Sequence, residues 1–401
     1  MIQPKDFYRK LDRLLAKIGK GKTGKEYLFS IVEEIEKSFG NTLNISNGRI
    51  YEEGVEAFEL IGPPKVLERT PVARKLVTNL EAVQSVFHFG SYIFDDPSFT
   101  IDSEISNMGE YTIPAAFTIV RSPEERWVFV FELKSGWVRE VVEFFLNAVR
   151  SALNIKLFSE ALKNDLEQAA HIQKSLLPSK PPVINGFDIA GRSQPAELVG
   201  GDLYDYFHFS DRMFGISIGD ASGHGLPAAL LVRDVVTGLR MGLEEQMKMV
   251  HTLKKLNHVI YRSTLSTRFV SLFYGEIETN GNVLYSNAGH PSPLLVHRDS
   301  VSELKSTGMI LGAIPEIPLE RAYTIMQPNS TLIMYSDGLL ERENHEGKMF
   351  GVKRLKQCVI EHQGKSAQQI VDEIFATVHD FGAAKEWDDD ATVVVVKRLE
   401  K

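Results

Sequence analysis

Apolar residues along this chain change their rhythm near position 178, and each rhythm predicts different elements. Leu28, Ile31, Val32, Ile35 and Phe39 repeat at helical spacing, and Gly40 follows as a stop signal. Residues 43–45 and 49–51 read as two short strands with a turn at Asn47-Gly48 between them. Residues 115–120 and 127–133 are two further apolar strands, parted by Ser122-Pro123-Glu124-Glu125. This mixture over residues 1–137 predicts an α/β domain. From 138 to 177 neither proline nor glycine occurs, and one long helix is predicted. At ~1.5 Å per residue it would span about 60 Å. Val138, Val142, Phe145 and Val149 trace one apolar stripe on it. Ile155, Phe158, Leu162, Ala169, Ile172 and Leu176 trace another near heptad spacing, interrupted at Asp165. The second stripe predicts a parallel coiled coil and a homodimer. An amphipathic helix packed on its own domain is the alternative. Pro178 ends the helix.

After residue 183, short apolar runs alternate with turns: 187–190, 203–209, 213–218, 269–277, 283–287, 293–297, 331–335 and 392–397. Helical patterns interrupt them at 226–241, 244–262 and 367–381. Runs of strands with clustered helices predict an α+β fold, a β-sandwich flanked by helices, rather than a doubly wound sheet. The expected division is a regulatory domain over 1–137, a helical linker over 138–178 and a second domain over 179–401.

Bulk properties narrow the function. The 401 residues exceed one ordinary core, and 43% apolar with 24% charged residues suits a water-soluble globular protein. A formal net charge of −8 argues against a general nucleic-acid binder. A single cysteine, Cys358, excludes an internal disulfide and a thiolate metal cage. That usage, the lack of a signal-peptide core and the lack of an 18-residue apolar run predict a cytoplasmic protein with no membrane span.

Candidate chemistry lies in four aspartates at the ends of apolar runs. Asp202 opens one run within Gly200-Gly201-Asp202-Leu203-Tyr204-Asp205. Asp220 closes another within Gly219-Asp220-Ala221-Ser222-Gly223-His224-Gly225. Asp337 follows Tyr335-Ser336, and Asp389 sits in Asp388-Asp389-Asp390-Ala391-Thr392. Strand ends gather on one rim of a sheet, and carboxylates gathered there repel unless cations lie between them. Hard oxygen donors without histidine or thiolate clusters select Mg²⁺ or Mn²⁺. Two such ions can share a water, lower its pKa and direct it at phosphorus. Glycines flanking Asp220 let the backbone turn, and the Ala221 carbonyl is the expected backbone donor.

These motifs, with Asn287-Ala288-Gly289-His290-Pro291, stand in the order found in metal-dependent protein phosphatases of the PPM, type 2C-like family. They are most similar to its bacterial SpoIIE/RsbU-like branch. The segment Ala169-Ala170-His171-Ile172-Gln173-Lys174-Ser175-Leu176-Leu177-Pro178 resembles the stretch preceding the catalytic domain there. The resemblance covers about residues 165–400. It implies a phosphoserine/phosphothreonine protein phosphatase using two Mn²⁺ or Mg²⁺ ions. By that resemblance Asp220 would bridge both metals, Ala221 would offer its carbonyl, Asp337 and Asp389 would hold one ion, and Asp202 would complete the site. The implied substrate is a phosphoprotein such as an anti-anti-sigma factor, with activity controlled through the linker. The order of elements over 1–137 resembles a GAF domain.

Other signals stand beside this reading. His224 and His290 are either general acids or structural groups in tight turns. Arg192 either holds phosphate or makes an ion pair, and Asp205 either orients a metal-bound water or caps a turn. The basic run 19–25 nearly spells a P-loop, but Glu26 replaces the required hydroxyl, so it reads as a solvated turn. The competing function is a dimeric, non-catalytic signalling scaffold built on the phosphatase fold.

Overall fold

The computed structural model describes residues 4–20, 24–67, 72–96, 98–102, 112–122, 125–244, 248–263, 268–383 and 385–400. The chain divides into two compact units, Met1–Asp165 and Leu166–Lys401.

The first unit runs α1 (Pro4–Lys20), α2 (Lys25–Leu43), β1 (Ile45–Glu53), β2 (Ala57–Gly62), α3 (Pro64–Leu67), β3 (Lys75–Val77), α4 (Glu81–Phe89), β4 (Ser91–Ile93), β5 (Ile113–Ser122) and β6 (Glu125–Leu133). It ends in α5 (Arg139–Leu176), which crosses the division between the units. Six antiparallel strands pair in the order β3-β2-β1-β6-β5-β4. Alternation along β6 explains the two cores. Phe129 and Phe131 point to one face, where Ile31 and Phe39 of α2 meet Phe145 and Val149 of α5. Val128 and Val130 point to the other, with Val83 and Val86 of α4.

The turn expected at Asn47-Gly48 is not there: β1 runs straight through both residues. Asn47 takes a left-handed φ of 52°, and the register with β6 slips between Ser46 and Arg49. The Asn-Gly pair therefore serves a β-bulge rather than a hairpin. A Cβ on Gly48 would collide with Val32 of α2 and Phe131 of β6, so glycine is what lets helix and sheet approach here. Residues 21–23 of the P-loop-like run lie outside the described residues.

The helix expected over 138–177 is α5. Of its first stripe, Val142, Phe145 and Val149 are buried in their own unit, whereas Val138 precedes the helix and is exposed. Its second stripe faces solvent. Ile155 is 68% exposed, Phe158 62%, Leu162 52% and Ile172 62%, so this stripe stays open among the described residues.

The second unit contains β7 (Phe187–Gln194), β8 (Asp202–Ser210), β9 (Met213–Ala221), α6 (Leu226–Glu244), α7 (Met249–Ser263), β10 (Val270–Glu278), β11 (Asn282–Ala288), β12 (Leu294–His297), β13 (Ser300–Glu303), β14 (Ala322–Ile325), β15 (Thr331–Tyr335), α8 (Asp337–Leu340), α9 (Gly351–His362), α10 (Ala367–Phe381) and β16 (Ala391–Arg398). Residues 245–247, inside the helix expected at 244–262, lie outside the described residues. Two five-stranded antiparallel sheets form, β14-β11-β10-β9-β8 and β13-β12-β15-β16-β7. Ile216, Ile218 and Phe273 of the first pack on Met334, Val394 and Val396 of the second. Val232, Val235 and Leu253 of α6 and α7 cover the outer face of the first sheet, on Leu203 and Leu272. Val359, Ile370 and Ile374 of α9 and α10 cover the second, on Ile333, Val393 and Val395. The result is the helix-flanked sandwich that the strand and helix pattern predicts. No helix among the described residues is long and apolar enough to cross a membrane.

Candidate metal centre

Two sheets bring the four aspartates to one rim. Asp202, the first residue of β8, lies directly opposite Asp220, near the end of β9. Opposed residues of antiparallel strands share a face, so both carboxylates point toward the sandwich interior at its mouth. The second sheet supplies the others. Asp337 follows β15 and opens the single turn α8, and Asp389 stands two residues before β16.

Glycines set the approach. A Cβ on Gly201 would lie 2.7 Å from the Ala221 carbonyl oxygen and 3.2 Å from Asp220 Oδ1. Gly201 also accepts a hydrogen bond from the Ala221 amide at 3.0 Å. The backbone before Asp202 is thus laid against the backbone after Asp220. A Cβ on Gly338 would collide with the Asp390 carbonyl, which brings the Asp337 turn against the Asp389 segment.

The three consecutive aspartates have separate partners. Asp388 pairs with the buried Arg342 at 2.8 Å. Asp390 accepts the amide of Ala196 at 2.8 Å and that of Gly201, and so ties the Gly200-Gly201 loop to the second sheet. Asp389 accepts the Asp390 amide at 2.8 Å and lies in the field of Asp337.

Electrostatics records the crowding. Burial lifts Asp202 well above the usual carboxylate range, and Asp220 adds to it, while the Ser336 hydroxyl, donating at 2.6 Å, opposes it. Burial, then Asp337, Asp389 and Asp390, raises Asp220 to about 7. Asp389 is raised first by burial, with Asp337 and Asp390 adding. A further carboxylate belongs to the group: Glu341, one helical turn after Asp337, is raised by burial, Asp337 and Asp389. Its i,i+4 spacing from Asp337 was the available signal in the sequence. Each group is pushed toward its protonated form, and a divalent cation would relieve the same stress. The donors are all hard oxygens, which suits Mg²⁺ or Mn²⁺. Among the described residues, no three His, Cys, Asp or Glu side chains close on one point as a finished coordination shell. The fit is therefore one of donor chemistry and charge.

Several candidates fall elsewhere. Asp205 is three residues after Asp202 and so faces the helices, where its carboxylate accepts from Arg240 Nε at 2.7 Å and from the Tyr206 amide at 2.9 Å. It orients no group at the rim. Arg192 stacks its guanidinium 4.2 Å above the ring of Phe375, a cation–π contact on the covered face of the second sheet rather than a phosphate grip or an ion pair. His224 is exposed beside the rim, with Nδ1 3.0 Å from Glu197 Oε1, and its charge acts on Asp389. His290 is buried against Ser271. Cys358 is a buried thiol near Thr377, away from the aspartates.

The fold agrees with the SiaA PP2C domain of Pseudomonas aeruginosa at a TM-score of 0.54, covering 60% of this chain and 98% of that one at 20% identity. Residues 210–399 match the family model described as stage II sporulation protein E (SpoIIE). The chain is 26% identical over 267 residues to the phosphoserine phosphatase RsbU of Bacillus subtilis (strain 168), covering 65% of this chain and 77% of RsbU. It is 24% identical over 234 residues to the phosphoserine phosphatase RsbP of the same organism, covering 54% of this chain and 58% of RsbP. It is also 26% identical over 245 residues to protein IcfG of Synechocystis sp. (strain ATCC 27184 / PCC 6803 / Kazusa), of which only 39% is spanned.

The raised Asp220 gives a prediction about metal-free protein. Its proton is held more tightly folded than unfolded, where the group titrates near its ordinary value of about 3.9. That stabilisation is fully present below about pH 4 and is lost as pH rises toward about 7. In chelator, Asp220→Asn is expected to melt higher than the wild type at pH 8, with the gap narrowing steadily toward pH 4. A gap that does not change with pH would show that Asp220 carries no such burden.

Proposed function

We propose that this chain is a metal-dependent protein serine/threonine phosphatase that hydrolyses phosphoserine or phosphothreonine on a partner protein. The observation that carries the reading is the single rim on which Asp202, Asp220 and Asp389 are pushed toward their protonated forms, with burial the main cause and like charge adding to it. In this reading two Mn²⁺ or Mg²⁺ ions would be held by Asp220 as the shared carboxylate, the Ala221 carbonyl as a backbone donor, Asp337 and Asp389 together, and Asp202 completing the set. When bound, such ions would supply Lewis acidity toward water and toward the phosphoryl oxygens. The chain's own groups hold that arrangement. Ser336 orients Asp202, Asp390 fastens the loop before it, and the Glu197 carboxylate fixes the ring of His224 at the edge of the rim. No side-chain nucleophile is required, which agrees with the buried position of Cys358.

The test is phosphate release from a phosphoserine peptide and from a phosphorylated anti-anti-sigma-factor-like protein, with and without Mn²⁺. Release is expected only with metal and faster from the protein substrate. Asp220→Asn is expected to cut it by at least about 100-fold with the fold retained. No turnover with either substrate at any metal concentration would leave the non-catalytic scaffold in its place.

The N-terminal unit is proposed as a GAF-like regulator acting through α5. Support comes from the last turns of that helix. The Gln173 side chain bonds both the amide (3.0 Å) and the carbonyl of Gly200. The Leu176 carbonyl accepts from Arg240 Nη2 at 2.8 Å, and Arg240 in turn holds Asp205. The end of the helix is thus fastened to both ends of the Gly200–Asp205 segment that carries Asp202. Gln173→Ala is expected to lower turnover about 10-fold in the full chain. Unchanged kcat and KM would remove the coupling.

The second stripe of α5 supports a homodimer. Ile155, Phe158, Leu162, Ala169, Ile172 and Leu176 recur near heptad spacing, interrupted at Asp165, and none is buried. Light scattering is expected to report a dimer for the wild type and a monomer for Phe158→Glu with Leu162→Glu. A monomeric wild type would dispose of the coiled coil.

A further inference from the structure

The Asn287-Ala288-Gly289-His290-Pro291 segment contributes no carboxylate to the acidic rim, yet it is bonded toward that rim from both sheets. Asp202, Asp220 and Ser271 are successive cross-strand neighbours on β8, β9 and β10, so Ser271 continues the row of the two aspartates on the same face. The Ser271 hydroxyl lies 2.8 Å from His290 Nδ1. The chain reaches this position through Gly289, whose φ of 71° favours glycine and whose Cβ would strike Ile310. Asn287 closes the turn, accepting the His290 amide at 2.8 Å and donating to its carbonyl at 3.1 Å. On the other side, the backbone carbonyl of Tyr335 acts on the ring, and the Tyr335 hydroxyl donates to the Ser292 carbonyl at 3.0 Å. Tyr335 ends β15, one residue before Ser336, which bonds Asp202, and two before Asp337.

We propose that His290 is a positioning residue: its ring braces the end of the sheet that carries Asp220 against the strand end that leads into Asp337, and so sets the gap between those two carboxylates. The inference rests on the metal reading given above.

Chemistry supports a brace over simple filling. His290 is only 3% exposed, and its Nε2 makes no closed hydrogen bond. A buried, unsatisfied polar nitrogen costs about 1–3 kcal/mol, so an apolar ring of similar size would pack at lower cost. Burial pushes the imidazole down to about 3, so the ring is neutral, with one donor and one acceptor nitrogen. The Ser271 hydroxyl at Nδ1 ties the ring to the first sheet, and the Tyr335 hydroxyl on the Ser292 carbonyl ties the same turn to the second.

Mn²⁺ affinity, measured by calorimetry on the full chain and checked by the Mn²⁺ electron paramagnetic resonance spectrum, tests this without relying on turnover. Ser271→Ala removes one bond and little volume. It is expected to weaken Mn²⁺ binding about 10-fold and alter the spectrum, while the metal-free melting temperature stays near the wild-type value. Ser271→Thr, which keeps the hydroxyl, is expected to restore affinity. His290→Gln is expected to weaken binding at least as much as Ser271→Ala. Wild-type affinity and spectrum in both Ser271→Ala and His290→Gln would overturn the brace and leave the metal reading intact. A wild-type chain that binds no Mn²⁺ would sink both.

Discussion

Like charge held at close quarters is the constraint on which the second unit is built. Asp202, Asp220 and Asp389 each hold protons above the carboxylate norm, because burial removes water and their neighbours add negative field. A fold bears such a cost only if its framework is stiff enough to keep the groups from drifting apart. The sandwich supplies that stiffness. Each aspartate stands at the end of a paired strand or in a turn pressed against one, and the valine-rich β16 is buried almost to its last residue.

Close backbone approach brings the aspartates of each sheet together, and side-chain hydrogen bonds join the two pairs. Gly201 sits against the Ala221 carbonyl in the first sheet and Gly338 against that of Asp390 in the second, while Ser336 bonds Asp202 across them. At both positions a methyl group would push an aspartate away from its neighbours. Asp390 uses its charge on two amides of the loop joining β7 to β8, which turns one member of an acidic triplet into a clamp. Asp388 places its charge against Arg342. The division of labour among three adjacent aspartates follows from what each one meets, not from the residue type.

Legibility in the sequence tracked how local the deciding contact was. The four aspartates could be read because glycine frames and apolar runs mark strand ends within a few residues. Asp205 misled only while alternation was ignored. Three positions after Asp202 in a strand, it must face the opposite way, and it meets Arg240 there. Asn47-Gly48 has the composition of a hairpin turn, and nothing local tells a hairpin from a bulge. The decision lies with Val32 and Phe131, which occupy the space that a side chain at Gly48 would need. Arg192 and His290 were equally opaque, since Phe375 and Ser271 are distant in sequence. Glu341 and Gln173 were missed because an acid one turn after Asp337, or an amide on an amphipathic helix, is ordinary until its neighbour is known.

Helix α5 joins these threads. Its first apolar stripe belongs to the core of its own unit, its second faces solvent, and its last turns are bonded to the segment that carries Asp202. The bonds at its far end are few: one side-chain amide on Gly200 and one carbonyl on Arg240. Under the proposed function, those few bonds are where the helix and a metal-holding rim would meet: if the strand end bearing Asp202 had two positions, metal occupancy and helix position would each shift the other by the same factor.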